Sequence, residues 1–295
     1  MKLGPIMLKD ESKGYLYLLP AIFVLLVIVI FPLIYALRLS LSRWDSFQQV
    51  LGEFVGLKNY YNLIVEDKRF LNSFFTSMIL WVSAGSLEII LGFFIAVLLN
   101  RDFFAHKVVK AIVLLPMLVL PVGAGHIWKL IFDPLFGPIN YIFQFVGLPA
   151  IDWLGSTQFA LISIIITDVW QWTPFVFLIM FAGMQGLPTD VYDAIKVDGA
   201  SGWQTITRIT IPLLNRVFLV AILFRSIDLF RIFDKIYILT SGGPAWATET
   251  MPFYTYILGF KRFDMDKAAA LSFILVILVS LISIFFISRL GKEET

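Results

Sequence analysis

The chain has 295 residues, of which 59% are hydrophobic and 15% are charged, and its mean hydropathy is +0.86. Soluble domains are typically about 25% charged and about 45–50% apolar, so this composition excludes a water-soluble globule and predicts an integral membrane protein. The formal net charge of +2 is too small to indicate a nucleic-acid partner. With no cysteine and only two histidines, His106 and His126, the chain is not expected to hold a disulfide, a thiol nucleophile or a metal centre.

Six stretches are long and apolar enough to cross a bilayer, which takes roughly 20 mainly apolar residues in a helix. The first has a longer apolar core than a signal peptide and no small-residue cleavage site after it, so we expect it to be retained. Pro116 and Pro121 should kink or interrupt the third span. In chain order the predicted spans are 15–37, 72–99, 109–131, 157–181, 213–239 and 268–287, which predicts an all-α transmembrane fold.

The distribution of basic residues predicts the orientation of these spans. An even number of spans places both termini on one side, and the side richer in Lys and Arg is expected to be cytoplasmic. The two sets of connecting segments hold nearly equal numbers of basic residues, but the set that includes the N-terminus is shorter and therefore denser in positive charge. We predict a multi-pass protein of the cell (inner, cytoplasmic) membrane. Segments 1–14 and 291–295 are the predicted cytoplasmic ends, and 15–290 is a single six-span domain.

The loop at 187–212, between the fourth and fifth spans, is patterned as a helix-turn-helix. Pro188 suits the first turn of a helix, and Gly199 is the residue type that accepts a left-handed conformation at a helix end. Ser201 and Gln204 have the spacing of a capping box that begins a second helix. By periodicity alone, a hairpin resting on lipid headgroups fits this loop as well. The acidic residues of the loop weigh against that, because membrane-surface helices are usually rich in Lys and Arg.

Part of this loop resembles the EAA loop of ATP-binding-cassette (ABC) importer permeases, whose pattern is roughly E-A-A-x-x-D-G-A followed by I-x-x-P. Asp193 replaces the usual Glu and keeps its charge, and Ile195 is bulkier than the usual second Ala. The resemblance implies that the loop is a cytoplasmic coupling helix that docks in a groove of the ATP-hydrolysing subunit. The residues that it assigns to ATPase coupling are Asp193, Ala194, Asp198, Gly199, Ala200, Ile209 and Pro212.

Three further segments are similar to those of carbohydrate-uptake permeases, which include the maltose/trehalose and glycerol-3-phosphate types. They are GPIN at 137–140, WQWTP at 170–174, and ILTSGGP at 238–244 followed by TET at 248–250. The resemblance extends over about 15–290 and implies a six-helix ABC importer permease core that works by alternating access. The partners that it implies are a second related permease, two ATPase subunits that carry ATP and magnesium, and an external solute-binding protein.

Arg225, Asp228 and Arg231 interrupt the fifth predicted span. Each charge at mid-bilayer costs about 2.5–3.5 kcal/mol on insertion scales, and the spacing i, i+3, i+6 places all three on one side of a helix. One interpretation is a polar substrate chamber, because guanidinium and carboxylate groups hydrogen-bond well with sugar hydroxyls. The other is a buried structural ion-pair network. By resemblance to the maltose-type permeases, Arg225 and Asp228 lie at helix positions that contact sugar in that family.

The fourth span carries Asp168, Trp170, Gln171, Trp172 and Phe175 near its centre. Aromatic faces pack against the C–H face of a sugar ring, and the Gln171 amide both donates and accepts hydrogen bonds. Gln171 and Phe175 share a helix face, whereas Trp170 and Trp172 diverge, so at most one tryptophan should face a chamber. Simple packing is the alternative for either. The predicted substrate-binding residues are therefore Gln171, Trp172, Phe175, Arg225 and Asp228.

The resemblance implies a carbohydrate substrate, for which maltose or trehalose is preferred and glycerol-3-phosphate is the alternative. A rival of another class is an ion-coupled secondary transporter with Glu88, Asp168 and Asp228 as ion sites. Glu88 also has the simpler interpretation of a hydrogen bond to a neighbouring helix, and the repeated halves common in such transporters are not seen. The sequence contains no P-loop and no catalytic constellation, so we expect neither enzyme activity nor a cofactor in this chain.

Overall fold

A computed structural model of the chain describes residues 11–45, 48–101 and 103–292, without the side chains of 11–16, 189, 194, 196, 197 and 292. The predicted ends at 1–14 and 291–295 thus lie mostly outside the described residues. Within these ranges, four unbroken helices are long and apolar enough to cross a membrane, and two bent helix pairs bring the number to as many as six. The prediction of an all-α transmembrane fold is confirmed, with one small hairpin added.

The first span is a helix with a π-helical turn in its middle. It comprises α1 (Glu11–Leu25), the turn Leu26–Ile30, and α2 (Phe31–Ser40). None of the most apolar window of Tyr17–Ser40 is buried within the chain, so this segment must be covered by lipid or by another subunit. Its second half, α2, lies beside the last helix, α15 (Met265–Lys292).

A short antiparallel hairpin follows the first span and was not predicted from the sequence. Strands β1 (Ser42–Asp45) and β2 (Val50–Phe54) pair with each other, and the short helix α3 (Lys58–Tyr61) follows them. The Asn59 side-chain amide donates to the backbone carbonyls of Ser40 and Ser42, at 2.9 Å in each case. This side-chain contact ties the hairpin to the end of α2, which no local sequence pattern reveals.

The core of the bundle is formed by α4 (Lys68–Leu99) and α8 (Phe159–Gln185). Gly92 allows their close approach, because a Cβ at this position would lie 2.7 Å from the Val176 Cγ1. Between them in sequence lie α5 (His106–Leu118) and α6 (Pro121–Ile131), which meet at 97°. The predicted interruption of the third span is confirmed, because Pro121 begins a new helix directly after the break. The segment after α6 contains α7 (Pro138–Phe145).

The fifth span is shorter than predicted. The second arm of the 187–212 loop runs to Leu213 and meets α12 (Asn215–Leu229) at a 68° bend. The chain then turns and begins α13 (Asp234–Leu239), so the predicted continuous helix over 213–239 is wrong beyond Leu229. The turn is fixed by polar contacts, since the Thr250 hydroxyl donates to the Ile232 carbonyl at 3.2 Å. Sequence hydropathy could not show this, because three of the four residues between α12 and α13 are apolar.

The remaining elements close the bundle. Helix α14 (Met251–Tyr256) continues through a π-helical turn at Ile257–Lys261, and α15 covers the predicted sixth span. An apolar cluster of Leu63, Phe70, Met251, Tyr254 and Leu258 packs α14 against the start of α4 and against α15.

Candidate functional site

The 187–212 loop forms the helix-turn-helix predicted from its sequence. Helix α9 (Thr189–Val197) ends at a turn in which Gly199 has φ +71°, the left-handed conformation that glycine adopts without strain. Helix α10 (Gly202–Thr205) begins with the complete capping box. The Gln204 backbone N–H donates to the Ser201 hydroxyl at 3.3 Å, and the Ser201 N–H donates to the Gln204 side-chain carbonyl at 2.8 Å.

The two arms of this loop are joined near its base. The second arm continues from α10 through a π-helical turn, Ile206–Thr210, into α11 (Ile211–Leu213). The Tyr192 and Thr210 hydroxyls lie 3.1 Å apart and link the two arms across the loop. This hydroxyl contact makes the loop one unit rather than two independent helices.

Most of the residues that the EAA resemblance assigns to ATPase coupling are exposed on this loop. Asp193, Asp198, Gly199 and Pro212 are exposed, while Ala200 and Ile209 are half-buried. Ala194 lies within α9, but its side chain is outside the described part of the structure. Trp203, which the resemblance did not select, is 65% exposed on the same loop. A single exposed apolar side chain does not by itself define a contact surface, so Trp203 joins the loop only as a further exposed residue.

A cavity of about 790 Å³ separates the loop from the ends of α4 and α8. The Gln185 side-chain amide donates to the Asn100 side-chain carbonyl at 2.7 Å and joins those two helix ends. Tyr192, Asp193 and Thr205 line the opposite wall. The two arms of the loop are therefore joined at their base, and a cavity separates part of the loop from the bundle. A loop attached in this way can move relative to the bundle as one unit.

A cluster of charged side chains lies inside the bundle, at the contact of α4, α8, α12 and α13. The Arg225 guanidinium is its centre: its Nε lies 2.5 Å from Glu88 Oε2, and its Nη2 lies 2.9 Å from Asp168 Oδ2. Asp228 accepts from Arg225 Nη1 at 3.3 Å, and the Lys235 ammonium forms an ion pair with the other oxygen of Asp168. We call these five residues the charge cluster. Buried charges are tolerated only when they are paired in this way.

Exposure divides the charge cluster into two parts. The side chains of Glu88, Asp168, Arg225 and Lys235 are at most 3% exposed, whereas that of Asp228 is 44% exposed. Glu88 therefore does contact a neighbouring helix, as the simpler interpretation of this residue predicted. Lys235 was not singled out from the sequence. The signal that points to it is its place at the end of the predicted fifth span, where a charge at membrane depth requires a partner of opposite sign.

The five predicted substrate-binding residues do not all meet at one place. Trp172 covers the charge cluster, with its ring centroid 5.1 Å from the Arg225 guanidinium carbon and 5.8 Å from the Lys235 ammonium. Phe175 packs edge-on against Trp172 at 6.1 Å and against Phe224 at 6.3 Å. Trp172, Phe175, Arg225 and Asp228 thus form one neighbourhood, which leaves Gln171 apart.

Gln171 turns toward the broken third span. Its side-chain amide donates to the Val119 carbonyl at 2.7 Å, at the break between α5 and α6, and its own carbonyl oxygen is buried without a partner among the described residues. Trp170 packs against Trp128 on α6, so the two tryptophans of this segment diverge as their spacing requires. Non-helical backbone at membrane depth needs such side-chain partners.

A cavity of about 320 Å³ opens beside the charge cluster, and we call it the charged pocket. Arg231, which was placed on the same helix face as Arg225, instead lies beyond the end of α12 and is exposed. It nevertheless lines this pocket. The pocket is lined by three acidic and three basic side chains: Asp168, Asp228 and Asp234, and Arg225, Arg231 and Lys235.

The Gly-Gly-Pro segment folds back onto the start of α4. Arg69 forms a two-point ion pair with Glu249, in which Arg69 Nε lies 2.6 Å from Glu249 Oε2. The Arg69 guanidinium carbon also lies 4.9 Å from the Trp246 ring centroid. The Tyr254 hydroxyl donates to Asp67 at 2.5 Å, and burial together with this carboxylate raises the pKa of Tyr254 above its usual range. These contacts give the segment a structural role.

Membrane-length helices and two bent helix pairs surround a polar pocket and carry an exposed helix-turn-helix loop at one end. This arrangement defines a membrane transport protein. Residues 88–290 match the family described as "Binding-protein-dependent transport system inner membrane component", and the chain belongs to this family. Membership places the protein in the membrane as a permease component and decides against an ion-coupled secondary transporter.

Individual relatives cover nearly the whole chain. A probable ABC transporter permease of Sinorhizobium fredii is 38% identical over 94% of this chain and 89% of its own length. The trehalose/maltose transport system permease protein MalF of Thermococcus litoralis is 36% identical over 96% of this chain and 95% of its own length. A solved bacterial ABC transporter involved in the import of the acidic polysaccharide alginate is 22% identical, covers 96% of both chains, and has a TM-score of 0.82. The predicted ABC importer permease fold is confirmed.

Proposed function

We propose that the chain is a transmembrane permease subunit of an ATP-driven importer of a carbohydrate, with a disaccharide such as maltose or trehalose as substrate. The observation that carries this proposal is the 36% identity over 96% of the chain to the trehalose/maltose permease of Thermococcus litoralis. At this identity and coverage the two chains share their fold and their transport role. The substrate class is inferred from that relative and from the chemistry of the charged pocket.

The charge balance of the charged pocket favours a neutral polar substrate. Three acidic and three basic side chains line it, so it offers an anion such as glycerol-3-phosphate no net positive charge. Trp172 lines the same pocket and supplies an aromatic surface beside these donors and acceptors. A neutral sugar, with hydroxyls on its edge and C–H groups on its faces, matches both kinds of surface.

The five predicted substrate-binding residues have different parts in this proposal. Asp228 is the direct hydrogen-bond acceptor, because it is the most exposed carboxylate of the charge cluster. Arg225 shares its donors among three carboxylates and holds Asp228 in place at the pocket wall. Trp172 supplies apolar surface in the pocket, Phe175 supports it by packing edge-on against its ring, and Gln171 stabilises the break in the third span.

The 187–212 loop is the proposed contact with the ATPase. Its exposed Asp193, Asp198 and Trp203 would enter a groove of one ATP-hydrolysing subunit, which places this loop and both termini in the cytoplasm. ATP and magnesium bind on two such subunits, and this chain performs no bond chemistry. A second related permease and an external solute-binding protein complete the assembly.

The proposal is tested with the complete transporter in proteoliposomes. Radiolabelled trehalose, maltose and glycerol-3-phosphate are offered with the cognate binding protein, with and without ATP on the cytoplasmic side. We expect ATP-dependent uptake of a disaccharide. Uptake that needs no ATP, or uptake of glycerol-3-phosphate alone, would contradict the proposed motor or the proposed substrate respectively.

A further inference from the structure

Five aromatic side chains form a continuous strip next to the charged pocket, and the transport role described so far does not use them. The Phe233 ring stacks on Tyr237 at 5.7 Å and on Phe253 at 5.9 Å between centroids. Tyr256 meets Phe233 edge-on at 5.4 Å and stacks on Phe260 at 5.7 Å. We call these residues the aromatic strip. They come from α13, from α14 and from the turns beside them.

The aromatic strip is not an ordinary core. Phe253 is buried, but Tyr237 is 45% exposed and Phe260 is 70% exposed. A cavity of about 680 Å³ lies along it, with Tyr237, Phe253 and Tyr256 on one side and Val122 of α6 on the other. This volume is within the range of about 300–1,000 Å³ typical of small-molecule sites. We call it the aromatic pocket.

The polar groups of the aromatic pocket define what it can bind. His126, Lys129 and Lys261 line it, and among its described lining residues there is no carboxylate. The Lys261 ammonium lies 5.8 Å from the Tyr256 ring centroid. Ring faces bordered by nitrogen donors suit a molecule with flat C–H faces and oxygen acceptors at its edge, which describes a pyranose ring.

The aromatic pocket adjoins the charged pocket across one pair of stacked rings. Phe233 lines the charged pocket and stacks directly on Tyr237, which lines the aromatic pocket. In the proposed orientation, α6 and α13 lie in the outer half of the membrane. A solute that leaves an external binding protein would therefore meet the aromatic pocket before it meets Asp228.

We propose that the aromatic pocket is a saccharide-binding vestibule, in which Tyr237 and Tyr256 hold a pyranose ring before it passes to the charged pocket. This inference rests on the proposed carbohydrate import. The vestibule prevents the released sugar from returning to the medium while the transporter closes. It therefore governs how much sugar is moved for each ATP hydrolysed, and not whether ATP is hydrolysed.

The test compares Tyr237→Leu/Tyr256→Leu with wild type in the complete transporter, because both rings line the aromatic pocket. Both changes replace partly exposed rings by apolar side chains, so the fold and the lipid contacts are retained. Tyr237→Phe keeps the ring, and Tyr141→Leu makes the same chemical change at a 72% exposed tyrosine of α7, far along the chain from the strip. The measurement is the ratio of trehalose imported to ATP hydrolysed, at saturating sugar-loaded binding protein.

We expect the double variant to lower this ratio roughly two- to tenfold, the effect of one or two aromatic contacts, with normal stimulation of ATP hydrolysis. Tyr237→Phe and Tyr141→Leu should keep the wild-type ratio. An unchanged ratio, an equal fall in Tyr141→Leu, a parallel fall in ATP hydrolysis or loss of the partner permease on purification would each overturn the vestibule. If the wild-type transporter imports no saccharide at all, the carbohydrate proposal itself fails.

Discussion

Replacing Arg225 by methionine removes the central cation of the charge cluster at nearly constant side-chain length. The guanidinium is 2% exposed and its partner Glu88 is fully buried. Asp168 keeps Lys235 as a partner after the change, but Glu88 loses the two hydrogen bonds that it accepts from Arg225. Removing one member of a buried ion pair costs about 3–5 kcal/mol, because the other charge remains buried without compensation.

This magnitude leads to a two-variant experiment. Arg225→Met should lower the apparent unfolding temperature by roughly 6–20 °C at a fixed scan rate. Arg225→Met combined with Glu88→Leu should recover most of that loss, since two apolar side chains then replace the pair and Asp168 stays bound to Lys235. Arg231→Met removes an exposed arginine six positions along and should change stability by less than about 0.5 kcal/mol.

The assay is thermal unfolding of the purified complex in detergent, followed by the fluorescence of its tryptophans. Loss of stability in Arg225→Met and its recovery in the double variant support the pairing that the structure shows. If Arg225→Met is as stable as wild type but fails to import sugar, Arg225 is a substrate ligand and not a structural centre. If the double variant is less stable than either single variant, the two side chains are not paired in the membrane.

Three further substitutions separate coupling, substrate binding and structure. Gly199→Val forces a β-branched residue into the left-handed region, at a cost of about 1–2 kcal/mol or more. It should abolish ATP-driven sugar uptake while the yield of protein in the membrane is retained. Gly202 has no positive φ, so Gly202→Val should transport normally in the same assay. Asp228→Asn should reduce uptake roughly tenfold or more, as for a lost charged hydrogen bond, with an unchanged unfolding temperature; a normal uptake rate would remove Asp228 from the site. Gln171→Leu should lower stability by about 1 kcal/mol, since the Val119 carbonyl loses its donor; a loss of uptake without a loss of stability would restore Gln171 as a substrate ligand.

Several turns, caps and helix breaks could be predicted from the sequence because each depends on residues that are close together in the chain. The turn at Gly199 and the capping box of Ser201 and Gln204 depend on residues within three positions of each other, and both were confirmed. The break near Pro121 follows from the missing N–H of proline. The long apolar spans follow from composition, because a helix satisfies its own backbone in lipid.

The parts that were not predicted depend on contacts between distant residues. Lys235 meets Asp168, which lies 67 positions earlier, and Arg225 meets Glu88 across 137 positions. Spacing indicated that Arg225 and Asp228 needed partners but could not say which. The end of α12 at Leu229 was missed for the same reason, since the turn after it is held by Thr250 and not by a local breaker.

The connection between the loop and the charged pocket is short and direct. Helix α8 carries Asp168 and Trp172 and ends at Gln185, just before the loop, while α12 begins at Asn215, just after it, and carries Arg225 and Asp228. At 1.5 Å per residue, Arg225 lies about 15 Å from the start of α12. A displacement of the loop therefore acts on both walls of the pocket through α8 and α12.

The two walls are also expected to move together. Because the hydroxyls of Tyr192 and Thr210 hold the two arms of the loop together, a displacement of one arm displaces the other. The ion pair of Arg225 with Asp168 joins α12 to α8, whereas its ion pair with Asp228 lies within α12. A movement of α8 relative to α12 therefore changes the distance between Arg225 and Asp168 and leaves that between Arg225 and Asp228 unchanged.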